Sequence, residues 1–526
     1  MASLLLLMAA LLSFWPESAA AQGAATACTP LPPFVSPHDR FGVNVIRDYG
    51  KEVTDYDVAR TRAGWYLDYA AKYDPPTPGG LSYVQVLRVS DLQQRDWQLR
   101  VKGLVAANPG AIWMIGNEPD RDLQDGIAPD IYARIYHDTY TVIKHSDPLA
   151  AVGPAAVIQA TPIRLRYLDA FVQSYEARFG VKPPVDFWNV HNFILREDPH
   201  SWGAGIPPGM MPYADEGMRF EVWDHGDFEL FKAQIIEFRR WMARHGYRDV
   251  ALIVSEYGIL MPPDYFAEAD GSVRYDYNFV RDFMLASFDF FLEHTDPQLG
   301  HPQDGNRLVQ SWAWYSLNDY FYQHASGGFK LYVPSVRAGQ VGDAALAVMQ
   351  APAQPVPNQP RGSNGSLFDH DKGTLLRFGE DFANYIEPFY RLYTDSAVRS
   401  LEVSPARVAE PDEPGAITIQ VRVHNRGNAD AHSLTVRLWW DRSPLGRTLI
   451  GEQTLPALAA RCSQQELLTF TWTPGPLAMG MQTLSAEIIT HGALGDAAEE
   501  NNGLSKVLWV GELDQMVQTR IPLVQR

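Results

Sequence analysis

Between residues 41 and about 320, short apolar runs alternate with segments of helical period, and this alternation constrains the fold more than any other feature. Stretches 41–45, 64–69, 81–89, 112–118, 151–157, 186–191, 251–256 and 308–317 read as strands. The clearest helix between them carries Phe228, Phe231, Ile235, Phe238 and Met242 at steps of three and four, with Asp227 as its cap and Gly246 at its end. Other helices are expected from Asp91 to Asn108, from Pro129 to about Lys144, over 162–179, and along Tyr277, Val280, Met284, Phe288 and Phe291. Eight strands mostly separated by helices predict an α/β fold, a (β/α)8 TIM barrel, ahead of a doubly wound open sheet. Residues 75–80, Pro-Pro-Thr-Pro-Gly-Gly, leave little room for a helix between strands two and three.

Two strands end in the same way. The run Ile112-Trp113-Met114-Ile115 stops at Gly116-Asn117-Glu118-Pro119, where proline can neither donate to a ladder nor leave Glu118 helical. The run 251–254 continues into Ser255-Glu256-Tyr257-Gly258. Glu118 and Glu256 therefore sit at strand tips, and parallel connections bring all such tips to one face of a barrel, its catalytic face. Two facing carboxyls are what glycosidic cleavage requires: an acid for the leaving oxygen, and a nucleophile or base across the sugar.

Long insertions follow strand six (194–226) and strand eight (319–366). The first holds Trp202, Tyr213, Phe220 and Trp223, and Trp202 and Trp223 are candidates to stack on sugar rings. The second holds a Pro- and Gln-rich stretch, 351–361, expected to be extended. Asp369-His370-Asp371-Lys372-Gly373 echoes a calcium loop but has Thr374 at its sixth position, so it reads as a hairpin turn. No metal and no cofactor is expected.

From about Leu401 the period changes to strict alternation, as in Ile417, Ile419, Val421 and Val423. About seven such strands predict an immunoglobulin-like β-sandwich that folds independently of the barrel. Residues 1–21, an apolar core followed by Ala19-Ala20-Ala21, match a secretory signal peptide. The domains expected are then the signal peptide 1–21, a barrel over 22–398, a sandwich over 399–512 and a tail over 513–526. Beyond the signal peptide no stretch is apolar enough for a transmembrane segment. The net charge of −18 disfavours nucleic acid as partner. Cys28 and Cys462 are the only cysteines, too few for a disulfide framework, and their pairing would need an oxidising compartment.

The motifs Gly116-Asn117-Glu118-Pro119 and Ser255-Glu256-Tyr257-Gly258 resemble the strand-four and strand-seven signatures of the retaining glycoside hydrolases of clan A. The resemblance implies Glu118 as acid/base, Glu256 as nucleophile and Asn117 as partner of the sugar 2-hydroxyl. His191, ending Trp188-Asn189-Val190-His191, resembles the clan's strand-six histidine, and Trp314 its aromatic floor under the catalytic sugar. The clan's strand-two arginine is missing, and Arg47 and Arg88 are its nearest substitutes. The segment from Val421 to Asn428, with Trp472 and Glu499-Glu500-Asn501-Asn502, resembles the CARDB type of accessory domain. The expectation is thus an exported enzyme, secreted or at the cell surface, acting on an oligo- or polysaccharide, with a surface or glycan contact through its C-terminal domain. The alternative is a surface protein whose barrel binds glycan without cleaving it.

Overall fold

The computed structural model describes residues 30–47, 50–260, 275–319, 365–404, 407–408, 416–442, 445–462, 464–475, 478 and 480–510. The signal-peptide stretch, Cys28, nearly all of the second insertion and the C-terminal tail lie outside the described residues. Eight parallel strands form the first domain: β1 (Phe41–Asn44), β2 (Trp65–Leu67), β3 (Ser82–Leu87), β4 (Ile112–Ile115), β5 (Ala151–Pro154), β6 (Phe187–His191), β7 (Ala251–Tyr257) and β8 (Ser311–Trp314). Their order is β5-β4-β3-β2-β1-β8-β7-β6. The ring closes between β5 and β6 through the Val157–Val190 bridge, where the His191 amide donates to the Val157 carbonyl at 2.9 Å. The (β/α)8 barrel is therefore present, and between β2 and β3 only a 3-10 turn, Pro78–Gly80, fits.

One set of side chains fills the barrel interior: Trp65, Leu67, Val84, Val86, Ile112, Met114, Ala151, Phe187, Ala251, Ile253 and Ala313. The large members fit because small ones face them. A Cβ on Gly42 would meet the Trp65 ring at 2.3 Å, so any side chain there would push the indole out. The outer core lies between strands and helices, and includes the predicted Phe231, Ile235, Phe238, Met242, Val280, Met284, Phe288 and Phe291. Helix Phe228–Arg244 begins as expected, with the Asp227 carboxylate accepting from the Glu229 and Leu230 amides. Asp91 does not cap the helix after β3. That helix is split, its longer part is Trp97–Ala107, and Asp91 pairs with Arg100 at 3.1 Å instead.

The second domain is a sandwich of β9 (Ser396–Ser404), β10 (Arg407–Val408), β11 (Ile417–Asn425), β12 (Ala431–Asp441), β13 (Arg447–Leu458), β14 (Gln465–Trp472), β15 (Gly480–Thr490) and β16 (Gly503–Val510). Its sheets run β10-β16-β15-β12-β13 and β14-β11-β9 around a core that includes Ile417, Ile419, Val421, Val423, Leu468, Leu484 and Ile488.

The two domains share a polar seam. A register shift in β9 skips Arg399 and turns it toward the barrel, where it donates to both oxygens of Asp147 at 2.7 and 2.8 Å. Arg461 pairs with Asp39 at 2.9 Å and reaches the Gly80 carbonyl at 2.5 Å, while Asn428 bonds His38 at 3.1 Å. His38 and Asp39 precede β1, Gly80 precedes β3 and Asp147 precedes β5. The sandwich thus sits on the N-terminal ends of the barrel strands, the face opposite their tips. Cys462, next to Arg461, is disulfide-bonded, and the chain's only other cysteine is Cys28.

Candidate active site

Strand β6 delivers the centre of the site. Phe187 lines the barrel interior, so alternation also turns Asn189 and His191 inward, and His191 ends up at the barrel's mouth. Strand β7 would by the same alternation turn Ser255 inward, after Ala251 and Ile253. Instead its pairing shifts: Val254 lies opposite Val190, but Glu256 lies opposite His191. One extra residue has entered β7, a bulge that moves Glu256 to the interior phase. Asn44, at the tip of β1, holds the bulge by donating to the Ser255 carbonyl at 2.9 Å. Glu118 arrives differently, through the tight turn after β4, with Gly116 at φ +95° and Glu118 itself left-handed at φ +41°. A left-handed glutamate is uncommon, and such backbone concentrates at functional sites.

The three side chains converge. His191 Nδ1 lies 3.0 Å from Glu118 Oε1, and Nε2 lies 3.2 Å from Glu256 Oε1. Glu118, His191 and Glu256 are all buried, and their nearest nitrogen and oxygen atoms lie within 4.8 Å of one another. That compactness also suits a metal ion. Each imidazole nitrogen, however, already faces a different carboxylate, so an ion shared by all three would displace one of these contacts.

The carboxyls differ in their surroundings. Burial raises the proton affinity of both. At Glu118 it is outweighed by Arg121, 3.3 Å from Oε2, and by His191, so this carboxyl is held well below the usual range. At Glu256 burial wins, opposed by His191 and aided by the charge on Glu118, and the carboxyl lies above the usual range. Burial disfavours the His191 cation, but the two carboxylates prevail and raise its pKa.

Neither substitute for the strand-two arginine reaches the site: Arg47 pairs with Glu52 and Asp68, and Arg88 with Asp125. Beyond β2 stands Tyr69, left-handed at φ +62°. Its hydroxyl is buried and makes no hydrogen bond of standard geometry, yet it lies near enough to Glu256 to favour that carboxyl's ionised form. A search for a cation overlooks a hydroxyl, although Asp68-Tyr69 follows strand two directly in the sequence. Arg121, three residues after Glu118, lies outside both motifs, and nothing local in the sequence marks it as a partner of that carboxyl.

Of the aromatic candidates, only Trp202 stays near the site. It packs on a small apolar cluster of Ile158, Phe193, Leu195 and Ala204, together with Leu260 and Tyr315. The Phe193 ring lies 6.3 Å from His191 and 6.2 Å from Tyr315, so this cluster walls one side of the Glu118–His191–Glu256 group. Trp314 is a correction. It is fully buried, its indole N–H donates to the Gly365 carbonyl at 2.7 Å and its ring abuts Tyr257, which leaves no face for a sugar. Its half-buried neighbour Tyr315 borders the cluster instead. Trp223 is exposed on a 3-10 turn and does not belong to the cluster. Asn117 is buried beside Glu118, with its amide 3.5 Å from Gln124.

A buried polar network ties this wall to the Glu118 turn. Arg164, wholly buried, pairs with Asp120 on one side and with Glu197 at 2.7 Å on the other. Glu197 also accepts from Gln159, from Thr161 and from the Met218 amide, which fastens the insertion after β6. The Asp369 segment is a turn closed by its own carboxylate, which accepts from the Asp371 and Lys372 amides.

Residues 44–200 match the family model described as glycosyl hydrolase catalytic core, and residues 399–506 match the CARDB model. The chain thus carries a glycosidase catalytic core followed by a CARDB domain. No curated protein matches it. Among solved structures, a GH128 (subgroup II) endo-β-1,3-glucanase from Pseudomonas viridiflava is 14% identical, over 65% of this chain and 96% of that one, at a TM-score of 0.38. A putative β-galactosidase from Bacteroides fragilis is 11% identical, over 91% and 56%, at 0.35. The CARDB domain of a Pyrococcus furiosus protein, solved with di-metal ions, is 22% identical, over 23% and 98%, at 0.19.

Proposed function

We propose that this chain is an exported glycoside hydrolase that works with retention, Glu118 serving as acid/base and Glu256 as nucleophile. The observation that carries this reading is spacing: the site atoms of the two glutamates lie within 4.8 Å. Retaining enzymes hold their carboxyls about 5–5.5 Å apart, whereas inverting enzymes leave about 6.5–9.5 Å for a water. In the first step Glu118 protonates the leaving oxygen while Glu256 attacks the anomeric carbon. In the second, Glu118 takes a proton from water, which releases the sugar from Glu256. Asn117 would meet the 2-hydroxyl, and Trp202, Phe193 and Tyr315 would offer apolar faces to sugar C–H groups.

Export is supported by the disulfide at Cys462, since such bonds persist in oxidising compartments, and by the signal-like stretch 1–21. Among the described residues no helix is long and apolar enough to cross a membrane. The sandwich, seated away from the strand tips, would serve contact with a surface or glycan rather than catalysis.

Azide tests the roles, once a panel of aryl glycosides and polysaccharides has given a substrate. With an acidic phenol as leaving group, Glu118→Ala should form the glycosyl-enzyme and stall, because no base activates water. Azide needs no base, so it should restore turnover and give a glycosyl azide of unchanged anomeric configuration. Glu256→Ala should lose activity on every substrate and give, if anything, the inverted azide. A retained azide from Glu256→Ala would reverse the two roles, and full activity in either variant would end this reading of the pair.

A further inference from the structure

His191 touches both carboxyls through different nitrogens, and this contact asks for more than orientation. A retaining reaction starts with the proton on Glu118 and the charge on Glu256. In the free protein the surroundings favour the opposite. Arg121 stabilises the anion at Glu118, and no arginine or lysine pairs with Glu256 among the described residues. The site is buried, so bulk water is a poor carrier between the two groups.

We propose that His191 is a proton relay that converts the resting pair into the reactive one. This rests on the retaining reading above and adds a step to it. At rest, Nδ1–H donates to the Glu118 carboxylate, and the neutral nitrogen Nε2 accepts from the Glu256 carboxylic acid. On conversion, the Glu256 O–H bond breaks as an N–H bond forms at Nε2. The Nδ1–H bond breaks as an O–H bond forms on Glu118 Oε1. The imidazole begins and ends neutral and has only exchanged tautomers. Rotation of the Glu118 carboxyl about its last bond then presents the proton to the glycosidic oxygen.

The contact lengths suit such a transfer, at 3.0 Å on one side and 3.2 Å on the other. Sugar binding provides the trigger. Glu118 Oε1 faces His191 and Oε2 faces Arg121, so an oxygen arriving at this carboxyl displaces the guanidinium. With the cation gone, the anion at Glu118 loses its main support and takes up the proton. The other charged or titratable groups facing the three are Asp120, held by Arg164, and the neutral phenol of Tyr69.

The relay is tested on the full chain by ¹⁵N NMR of His191, which distinguishes the two neutral tautomers. Glu256→Gln imitates the protonated nucleophile, since its amide donates to Nε2; His191 should then be the Nδ1–H form. Glu118→Gln imitates the protonated acid, and His191 should become the Nε2–H form. One tautomer in both variants, or a doubly protonated ring in both from pH 5 to 8, would overturn the relay. In kinetics, His191→Gln reaches one carboxylate but cannot pass a proton, so kcat should fall about 10²-fold or more. Added imidazole or buffer acid should restore part of that loss, and a loss indifferent to buffer would count against proton transfer. A tautomer switch in a protein that cleaves no glycoside would instead sink the glycosidase reading.

Discussion

Arg461, on the turn between β13 and β14, and Asp39, two residues before β1, form an ion pair of 2.9 Å with both side chains shut off from solvent. Tyr393 completes it, its hydroxyl donating to Asp39 at 2.6 Å. Such a pair is weak evidence of net stabilisation, but removing one partner strands a buried charge at a cost of about 3–5 kcal/mol. Arg461→Ala should therefore lower the melting temperature markedly, and cutting the chain at about residue 398 should yield a barrel of poor stability. Because the seam lies at the opposite face from Glu118 and Glu256, the folded Arg461→Ala protein should keep its kcat/KM. Calorimetry beside kinetics at 25 °C separates the two. An unchanged melting temperature would mean that the domains are only tethered, as the sharp change of period near Leu401 suggests.

His424 should make the sandwich acid-sensitive. It is fully buried, neither ring nitrogen has a partner among the described residues, and burial together with Arg399 and Arg426 holds its pKa well below the ordinary value. The unfolded chain binds a proton at His424 below about pH 6.5 while the folded one refuses it, so stability falls as pH drops through that range, by at most about 1.4 kcal/mol per unit. His38, His225 and His301 act in the same direction, and His191 in the opposite one. Melting temperatures from pH 7 to 5 should decline less steeply in His424→Leu than in the parent. Equal slopes would show that this ring is not a source of acid lability.

Much of this site was legible in the sequence. The strand-end glutamates announce themselves because a proline or glycine terminates an apolar run, whereas His191 stands out only through its resemblance to a strand-six histidine. Glu256 was found by motif, whereas its orientation was not legible: period two puts Ser255 inside, and only the bulge held by Asn44 reverses this. Trp314 and Tyr315 differ by one position, and the phase of β8 decides between them: Ala313 lines the interior, so alternation turns Tyr315 inward and Trp314 outward. Arg399 and Arg461 were invisible for another reason. Charged residues on strands and turns normally face water, and nothing local marks these as buried across a seam.

The insertion after β6 divides its tryptophans. Trp202 packs on the apolar cluster that contains Phe193, beside His191, whereas Trp223 is exposed and outside that cluster. Trp202→Ala should raise KM for an oligosaccharide several-fold, and more than for a short aryl glycoside. Trp223→Ala should change neither by much. An equal rise for both substrates in Trp202→Ala would place that ring in packing alone.

Tyr69 has two effects that point in opposite directions. Its hydroxyl is buried without a hydrogen bond of standard geometry, and its backbone is left-handed. A hydroxyl whose contact with Glu256 falls short of standard hydrogen-bond geometry adds little to stability, so Tyr69→Phe should melt near the parent's temperature. The same hydroxyl favours the ionised form of Glu256, in a site without the strand-two arginine. Its loss raises the proton affinity of Glu256 further, so the acidic limb of kcat/KM should move to higher pH. On the proposed role of Glu256 as nucleophile, it also removes a donor from the carboxylate as that group attacks and departs, for which a loss of about 10²-fold in kcat is expected. Stability kept with activity lost, and an acidic limb moved upward, is the signature of a group placed for the nucleophile. A variant that loses stability and activity together, with its pH profile unmoved, would show that the ring fills space and that Glu256 is held by His191 alone.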